Sequence, residues 1–447
     1  MKIAVVGGGV GGLTCGLELR ARGHQVTVLE REPQAGGKVR SERVGEWQIE
    51  HGPAGVLDNA PDTTALYKEL GLEPLPSSDA ARRRFVVRGG KLKEVPDSPP
   101  KIVTSGALTL GEKWRILREP KAPGPPSGAD ESMAEFAKRR FGESLAAHLI
   151  EPVASGVFAG DYTRLSMRSA FPMIAELERE HGSVIRGLHA MEQARKAEGR
   201  PRVPARLTSL AGGMGALPEA LGRALGDALR TGVIADAITK WGQGWVVQTP
   251  GGPIEADRLV LALPPDEAAR LLQPVDAAMA DAYAAIPVNS MAAISLGYPR
   301  AQVAHALDGF GFLVPRVEKQ RLLGALWMTS TFPEAAIAPR EHVMLRCMVG
   351  GSLDPEAAQL PDAELLTVAR DGLRAILNVT AEPAFTHVVR WKRAIAQYVV
   401  GHAGRVATIE ERGEPMGLYS TGAALRGVGV NDVIREGKAL AARMDVG

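Results

Sequence analysis

Cysteine is nearly absent from this chain. Cys15 and Cys347 are the only two in 447 residues, too few for a disulfide framework and in keeping with a reducing compartment. Long apolar runs are missing too: none approaches the roughly 18–20 residues that a membrane-spanning helix requires. Charge of one sign does not dominate, with 53 Lys plus Arg against 51 Asp plus Glu and a net charge of +2. No basic stripe interleaved with aromatics stands out, so no nucleic-acid partner is expected. The nine histidines form no set with metal-ligand spacing, and no metal is expected. A positively charged leader ahead of the first apolar run is lacking as well. The expected location is cytoplasmic, and peripheral contact with the cytoplasmic face of a membrane is left open. What the chain does have is 45% hydrophobic residues, enough for two or three buried cores.

The N-terminus is the most informative stretch. Ile3 to Val6 reads as a buried parallel strand, and Gly7, Gly8, Gly9, Val10, Gly11 and Gly12 follow it, containing G-x-G-x-x-G at Gly7, Gly9 and Gly12. Leu13 to Arg22 is helical in composition with Gly23 as its stop, and Gln25 to Leu29 is a second strand ending on Glu30. Each part has a task in holding a dinucleotide. Gly7 makes the tight turn, Gly9 lets the backbone approach a pyrophosphate, and Gly12 lets helix and strand pack closely. The helix N-terminus offers free N–H groups to the phosphates, and Glu30 can accept hydrogen bonds from ribose hydroxyls. These residues alone do not separate FAD from NAD.

Further on, Pro61 to Leu70 predicts a helix, and Arg84 to Arg88 with Lys91 to Val95 predict a hairpin around Gly89-Gly90. Pro96 to Gly128 is rich in proline and basic residues, with Leu110, Trp114 and Leu117 at helical spacing beside Lys113, Arg115 and Arg118. Helical patterns run from Ser132 to about Lys196, closed by the polar stretch Glu198 to Pro204. Strands are expected at Val233–Thr239, Trp245–Gln248 and Arg258–Leu263, and then near Ala292–Leu296, Phe310–Val314, Leu322–Trp327 and Val343–Val349. The fold class is α/β, α+β overall. A discontinuous Rossmann-type domain is expected over 1–75, 205–265 and 403–447, a mixed-sheet substrate domain over 76–95 and 266–402, and an inserted helical lobe over 96–204.

Several segments carry a family resemblance. Glu30 followed by Gln34-Ala35-Gly36-Gly37-Lys38-Val39-Arg40 resembles the E-x5-G-G-[RK] extension of flavin amine oxidases, desaturases and protoporphyrinogen oxidases, and Gly52-Pro53-Ala54-Gly55 resembles their next flavin-contact stretch. Ser155-Gly156-Val157-Phe158-Ala159-Gly160-Asp161, Gly309-Phe310-Gly311-Phe312-Leu313-Val314-Pro315 and Met348-Val349-Gly350-Gly351 resemble segments of oxygen-dependent protoporphyrinogen oxidases, closest to the myxobacterial members. So do Gln397-Tyr398-x-x-Gly401-His402 and Gly427-Val428-Gly429-Val430-Asn431-Asp432. The similarity spans essentially the whole chain in the family's order. It departs at Ala54, where a larger or polar residue is usual, and at Ala396, where a proline usually precedes Gln397 and stiffens the loop.

The resemblance implies a non-covalent FAD, a porphyrinogen substrate, dioxygen as acceptor, and a helical lobe that sits on membranes; a homodimer is left open. For FAD it implies contacts from Gly7, Gly8, Gly9, Val10, Gly11, Gly12, Glu30, Arg31, Gly37, Lys38, Gly52, Pro53, Ala54, Gly55, Ala235, Ala423, Val428, Gly429 and Val430. For substrate it implies Arg84 on a propionate, Gly156 facing the pyrrole nitrogens, Phe310 and Leu313 sandwiching a pyrrole, and Met348 as a wall. No catalytic side chain is assigned, because the redox chemistry is the cofactor's own. Read without the resemblance, Arg84 belongs to a solvated Arg82-Arg83-Arg84 cluster and the apolar residues to a core. His402 reads as a structural hydrogen-bonding residue and Cys15 as packing. Oxidation of coproporphyrinogen is the near alternative. A flavin amine oxidase or carotenoid desaturase is more distant, and 5% aromatics is poor material for an amine cage. A protein that holds FAD only to stabilise a partner-binding surface is the remaining reading.

Overall fold

The computed structural model describes residues 1–96, 99–125, 128, 130–199 and 204–445. Parts of the proline-rich and Glu198–Pro204 stretches therefore lie outside the described residues. The chain divides into two compact units, residues 1–77, 206–288 and 403–447 in one, and 78–205 and 289–402 in the other.

The first unit is built on a five-stranded parallel sheet. Its order is Leu229–Thr231, Gln25–Glu30, Lys2–Val6, Arg258–Leu261 and Leu418–Ser420. The central strand is buried on both faces, which is why Ile3 to Val6 carries no polar alternation. The helices Val10–Ala21, Ala216–Leu225 and Val430–Asp445 share one core with it, through Leu13, Leu17, Leu217, Leu221, Ile434 and Leu440. The unit also holds a three-stranded antiparallel sheet, Ala237–Trp241, Gly244–Gln248 and Ile254–Ala256, the hairpin Ser41–Val44 with Trp47–Glu50, and a small sheet in which Leu207–Leu210 lies between Val56–Leu57 and Pro74–Pro76. The strand expected at Val233–Thr239 thus begins later. Val233 and Gly232 instead donate backbone hydrogen bonds to Glu30 O and Glu32 O, which draws that segment to the sheet's edge. Residues 266–288, read from sequence as the start of the substrate domain, fall in this unit. Asp276, which caps the helix Ala277–Ala284, is held by Arg412 at 2.7 Å.

The second unit carries a seven-stranded mixed sheet, ordered Phe385–Trp391, Met291–Pro299, His342–Gly350, Leu322–Trp327, Gly311–Leu313, Arg84–Arg88 and Lys91–Glu94. One face is the core: Phe85, Val87, Ile294, Leu296, Phe312, Leu345 and Cys347 pack on Leu365, Ala369 and Leu373 of the helix Asp362–Leu377. Alternation along the strands sends Arg84, Val86, Leu313 and Met348 to the opposite face. The helical insertion contains Leu110–Arg118, Met133–Phe141, Glu151–Phe158, Pro172–His181 and Val184–Ala197. Its centre is ionic. Arg140, fully buried, bonds Glu119 and Glu178, while Glu119 accepts from Val184 N at 3.0 Å and so caps the helix that starts there. No helix among the described residues is long and apolar enough to cross a membrane.

Candidate active site

The glycine-rich loop follows the steric logic of a dinucleotide fold. Gly7 adopts φ 113°, and a Cβ there would lie 2.2 Å from Ala262 O; a Cβ on Gly12 would lie 2.0 Å from Gly7 O. Gly9 is different, because a Cβ there would meet nothing within 4 Å. It faces open space at the start of the helix Val10–Ala21, whose N-cap has no side-chain hydrogen bond and whose first turn has no acid. An uncapped, uncompensated helix N-terminus beside a glycine in open space is what a pyrophosphate requires.

Around this point the chain assembles a cradle from four distant segments. Glu30 is buried, and its two carboxylate oxygens accept from Gly8 N and Glu32 N, both at 2.8 Å. It thereby shapes the loop while sitting at the strand end where ribose hydroxyls belong. Gly36 N donates to Gly8 O at 2.8 Å, which lays Gly37 against Gly9. Gly52 packs so closely on Lys38 that a Cβ would lie 1.9 Å from Lys38 O. Ala235 ends the segment paired with 30–32, and its carbonyl accepts from Arg270 at 3.1 Å. From the C-terminal side, Gly422 comes within 3.2 Å of where a Gly11 Cβ would stand. Gly55, Gly429 and Val430 line one cavity of about 490 Å³ together with Pro61 and Asn431. Pro53, Ala54, Ala423 and Val428 are each half-buried along the same loops. Arg31 is largely engaged elsewhere, in ion pairs with Glu32 and Glu267. The residues present fit an adenine-dinucleotide flavin.

Sequence reasoning passed over the fastenings of this cradle. Asn431 donates to Leu57 O at 2.9 Å and bonds Thr63 Oγ1 at 2.8 Å, joining the C-terminal segment to the Gly52–Gly55 region. Glu50, also buried, accepts from Ser41 Oγ at 2.7 Å and from Met214 N at 3.3 Å, and that Ser41 Oγ accepts from Gly215 N at 2.8 Å. The one available signal was the presence of buried-type polar residues inside quoted motifs, as with Asn431.

In the second unit the predicted substrate residues fall on one side of the sheet. Leu313 and Met348 are both cross-strand neighbours of Gly324, so no side chain separates them on that row. Gly156 approaches Leu313 from the helix Glu151–Phe158, and a Cβ on it would be 3.0 Å from Leu313 Cδ1. Arg84 pairs with Gly311 in the sheet, and its guanidinium lies 5.7 Å from the Phe310 ring centroid. The three consecutive arginines are not equivalent. Arg82 pairs with Asp79 and Arg83 with Glu94 and Asp308, whereas Arg84 has no carboxylate partner among the described residues.

The remaining motifs have structural work. Phe158 O accepts from Asn289 Nδ2 and Gln397 Nε2, both at 2.9 Å, and Ala159, in the left-handed region at φ 43°, accepts from Asn289 and Ser352 N. Tyr398 stacks on His402 at 4.1 Å. The loop that Ala396 was expected to loosen is therefore pinned by Gln397 and Tyr398. Cys15 is fully buried and its thiol is pushed up to about 12, which suits packing and excludes a reactive thiolate.

Comparison with known proteins gives the family. A family model described as flavin containing amine oxidoreductase matches residues 10–445. Coproporphyrinogen III oxidase of Bacillus subtilis (strain 168) is 28% identical, over 98% of this chain and 96% of that protein. A chloroplastic protoporphyrinogen oxidase of Oryza sativa subsp. japonica is 31% identical, over 95% of this chain and 84% of that protein. Among solved structures, a chain from Exiguobacterium sp. 255-15 superposes with a TM-score of 0.84 at 24% identity, covering 100% of this chain and 98% of its own.

Proposed function

The chain belongs to the flavin-containing amine oxidoreductases, with FAD as its cofactor, and from that premise we propose that it oxidises protoporphyrinogen IX to protoporphyrin IX. Six electrons and six protons leave the macrocycle, dioxygen is the acceptor and hydrogen peroxide is released. FAD, when bound, supplies the redox chemistry. The observation that carries the reading is the face of the second unit's sheet. There an unpaired arginine, an aromatic ring beside it, an apolar row with a glycine gap, and a glycine-bearing helix stand together.

Each of these has a part to play. Arg84 holds a propionate through its planar fork, and Phe310 keeps the guanidinium oriented. Leu313 and Met348 offer flat apolar surface to pyrrole rings, and Gly156 presents backbone without a side chain. The uncapped helix at Val10 and the Glu30 carboxylate hold the pyrophosphate and ribose ends of the cofactor. No side-chain acid–base pair is needed, since pyrrole N–H protons can leave to solvent.

Coproporphyrinogen is the second reading, favoured by the Bacillus subtilis relative, which matches over nearly its full length. The discriminating test is turnover under air. Purified protein is given each porphyrinogen separately, and porphyrin fluorescence and peroxide are followed. Porphyrin from protoporphyrinogen at the higher kcat/KM supports the first reading, and the reverse order supports the second. Fluorescence from neither would sink both. We further propose that the protein docks on an anionic membrane surface through the helix Leu110–Arg118.

A further inference from the structure

Glu151 has no part in the site described so far. Its carboxylate is nonetheless buried, 3% exposed, on the same short helix that carries Gly156. One oxygen accepts from Ser155 Oγ and the other from Arg316 N, both at 3.1 Å. Residues 151 and 155 are one turn apart and both buried, whereas Val153, Gly156 and Val157 are exposed. The carboxylate therefore points away from the open side of the helix and towards the turn Arg316–Glu318, which follows the strand Gly311–Leu313 through Val314 and Pro315. Burial raises its pKa, and the Arg316 and Ser155 bonds pull it back.

The same turn is gripped from its other end. Glu318 accepts from Gly89 N and Gly90 N, at 2.8 and 2.9 Å, at the tip of the hairpin whose first strand begins at Arg84. Besides the strand that carries Met348, three elements bear the proposed substrate contacts: the Gly156 helix, the Leu313 strand and the Arg84 hairpin. One three-residue turn connects to all three, through the chain itself to Leu313 and through two carboxylates to the others.

We infer that Glu151 is a positioning residue, which fixes the spacing between Gly156 and Leu313 by tying their elements at Arg316, with Glu318 as the matching tie to the Arg84 hairpin. This rests on the proposed porphyrinogen oxidation. The spacing is tight, since a Cβ on Gly156 would be 3.0 Å from Leu313 Cδ1, so a shift of a few tenths of an ångström reshapes the slot. Neither carboxylate touches substrate, and neither exchanges a proton with it. Their effect falls on how the macrocycle is seated.

The test compares holoenzyme variants by kinetics and by peptide-level hydrogen exchange. Glu151→Gln keeps an acceptor for Arg316 N and can donate to Ser155, so it should behave as wild type. Glu151→Asp is too short to span both partners, and Glu151→Ala removes the tie. Both should raise KM for the porphyrinogen about tenfold, change kcat by less than about threefold, and speed amide exchange across 311–318. FAD content should be unchanged. Glu318→Ala lies at the surface and should fold normally, with a KM rise of about threefold and faster exchange at 89–90. Faster exchange with unchanged KM in these variants overturns the inference, because the ties would then be structural only. So does an unchanged exchange pattern. If wild type oxidises no porphyrinogen, it is the functional reading that has failed, while the exchange data still show whether the ties exist.

Discussion

At the scale of single residues, the cofactor and substrate ends make different demands. We propose two roles for Glu30, since both of its oxygens already accept backbone N–H bonds and each retains a lone pair for a ribose hydroxyl. Glu30→Ala should weaken FAD binding by about 2–4 kcal/mol through loss of the ribose hydrogen bonds to a charged acceptor. Fluorescence titration of the deflavinated protein measures it, and a Kd within twofold of wild type would refute the ribose role. Arg84 is simpler, with its guanidinium beside the Phe310 ring and no carboxylate partner among the described residues. A contact that persists from bound substrate to transition state raises KM when lost, so Arg84→Ala should raise KM about tenfold or more with kcat little changed. Arg84→Lys should recover part of this, because a point charge lacks the fork. Unchanged kinetics in the alanine variant would return Arg84 to a solvated cluster. The glycines and Glu30 were legible in the sequence because sterics and chemistry demand those residues at that spacing. Glu151, Glu50 and Glu318 were not, since Arg316, Met214 and Gly89-Gly90, which they hold, lie far along the chain and any polar residue has the same local signature.

At the scale of the element, the helix Leu110–Arg118 is mounted with its apolar side outward. Its capping box joins Thr109 to Glu112, and Glu112 bonds Arg88 at 2.8 and 3.0 Å and Ser144 at 2.7 Å. Burial works against that carboxylate's charge, but the Arg88, Thr109 and Ser144 hydrogen bonds outweigh it and lower its pKa to about 2. The polar side is thus fastened down, while Leu110 is 84%, Trp114 53% and Leu117 77% exposed. An ordinary surface helix packs the other way round. Arg118 lies 4.0 Å over the Trp114 ring, so a cation accompanies the exposed indole. Such a face suits the headgroup region of an anionic bilayer. Wild type should float with anionic liposomes at low salt and lose much of that binding at high salt, where the basic contribution is screened. Trp114→Glu should keep its FAD and stay at the bottom of the gradient. Wild type that floats with no lipid composition would show that this face serves something else. The periodicity of Leu110, Trp114 and Leu117 was visible in the sequence; which way the helix faces was not, because Glu112 and Arg88 meet only in the folded chain.

At the scale of the whole molecule, the first unit is woven from the start, middle and end of the chain, and its sheet order records this. The strands Lys2–Val6, Arg258–Leu261 and Leu418–Ser420 are neighbours although hundreds of residues separate them. The sequence led to the expectation of one discontinuous domain over 1–75, 205–265 and 403–447, and the first unit comprises 1–77, 206–288 and 403–447. The sequence pattern misplaced the strand near Val233, where an edge backbone pairing with Glu30 and Glu32 overrides a strand-like composition. A cofactor that touches all three contributions should stabilise them together. Ligand at about 100 times its Kd adds roughly 2.7 kcal/mol to the folded state, and that stabilisation is lost when FAD is removed. Hydrogen exchange on deflavinated protein should therefore speed up at 7–13, 30–38, 232–235 and 422–430 at once, and adding FAD should restore protection to all four. Exchange that changes only at 7–13 would mean that the glycine loop holds the cofactor alone. The distant segments would then be neighbours of that loop without being part of the cradle, and the contacts at Ala235, Ala423 and Val428 to Val430 would have to be withdrawn.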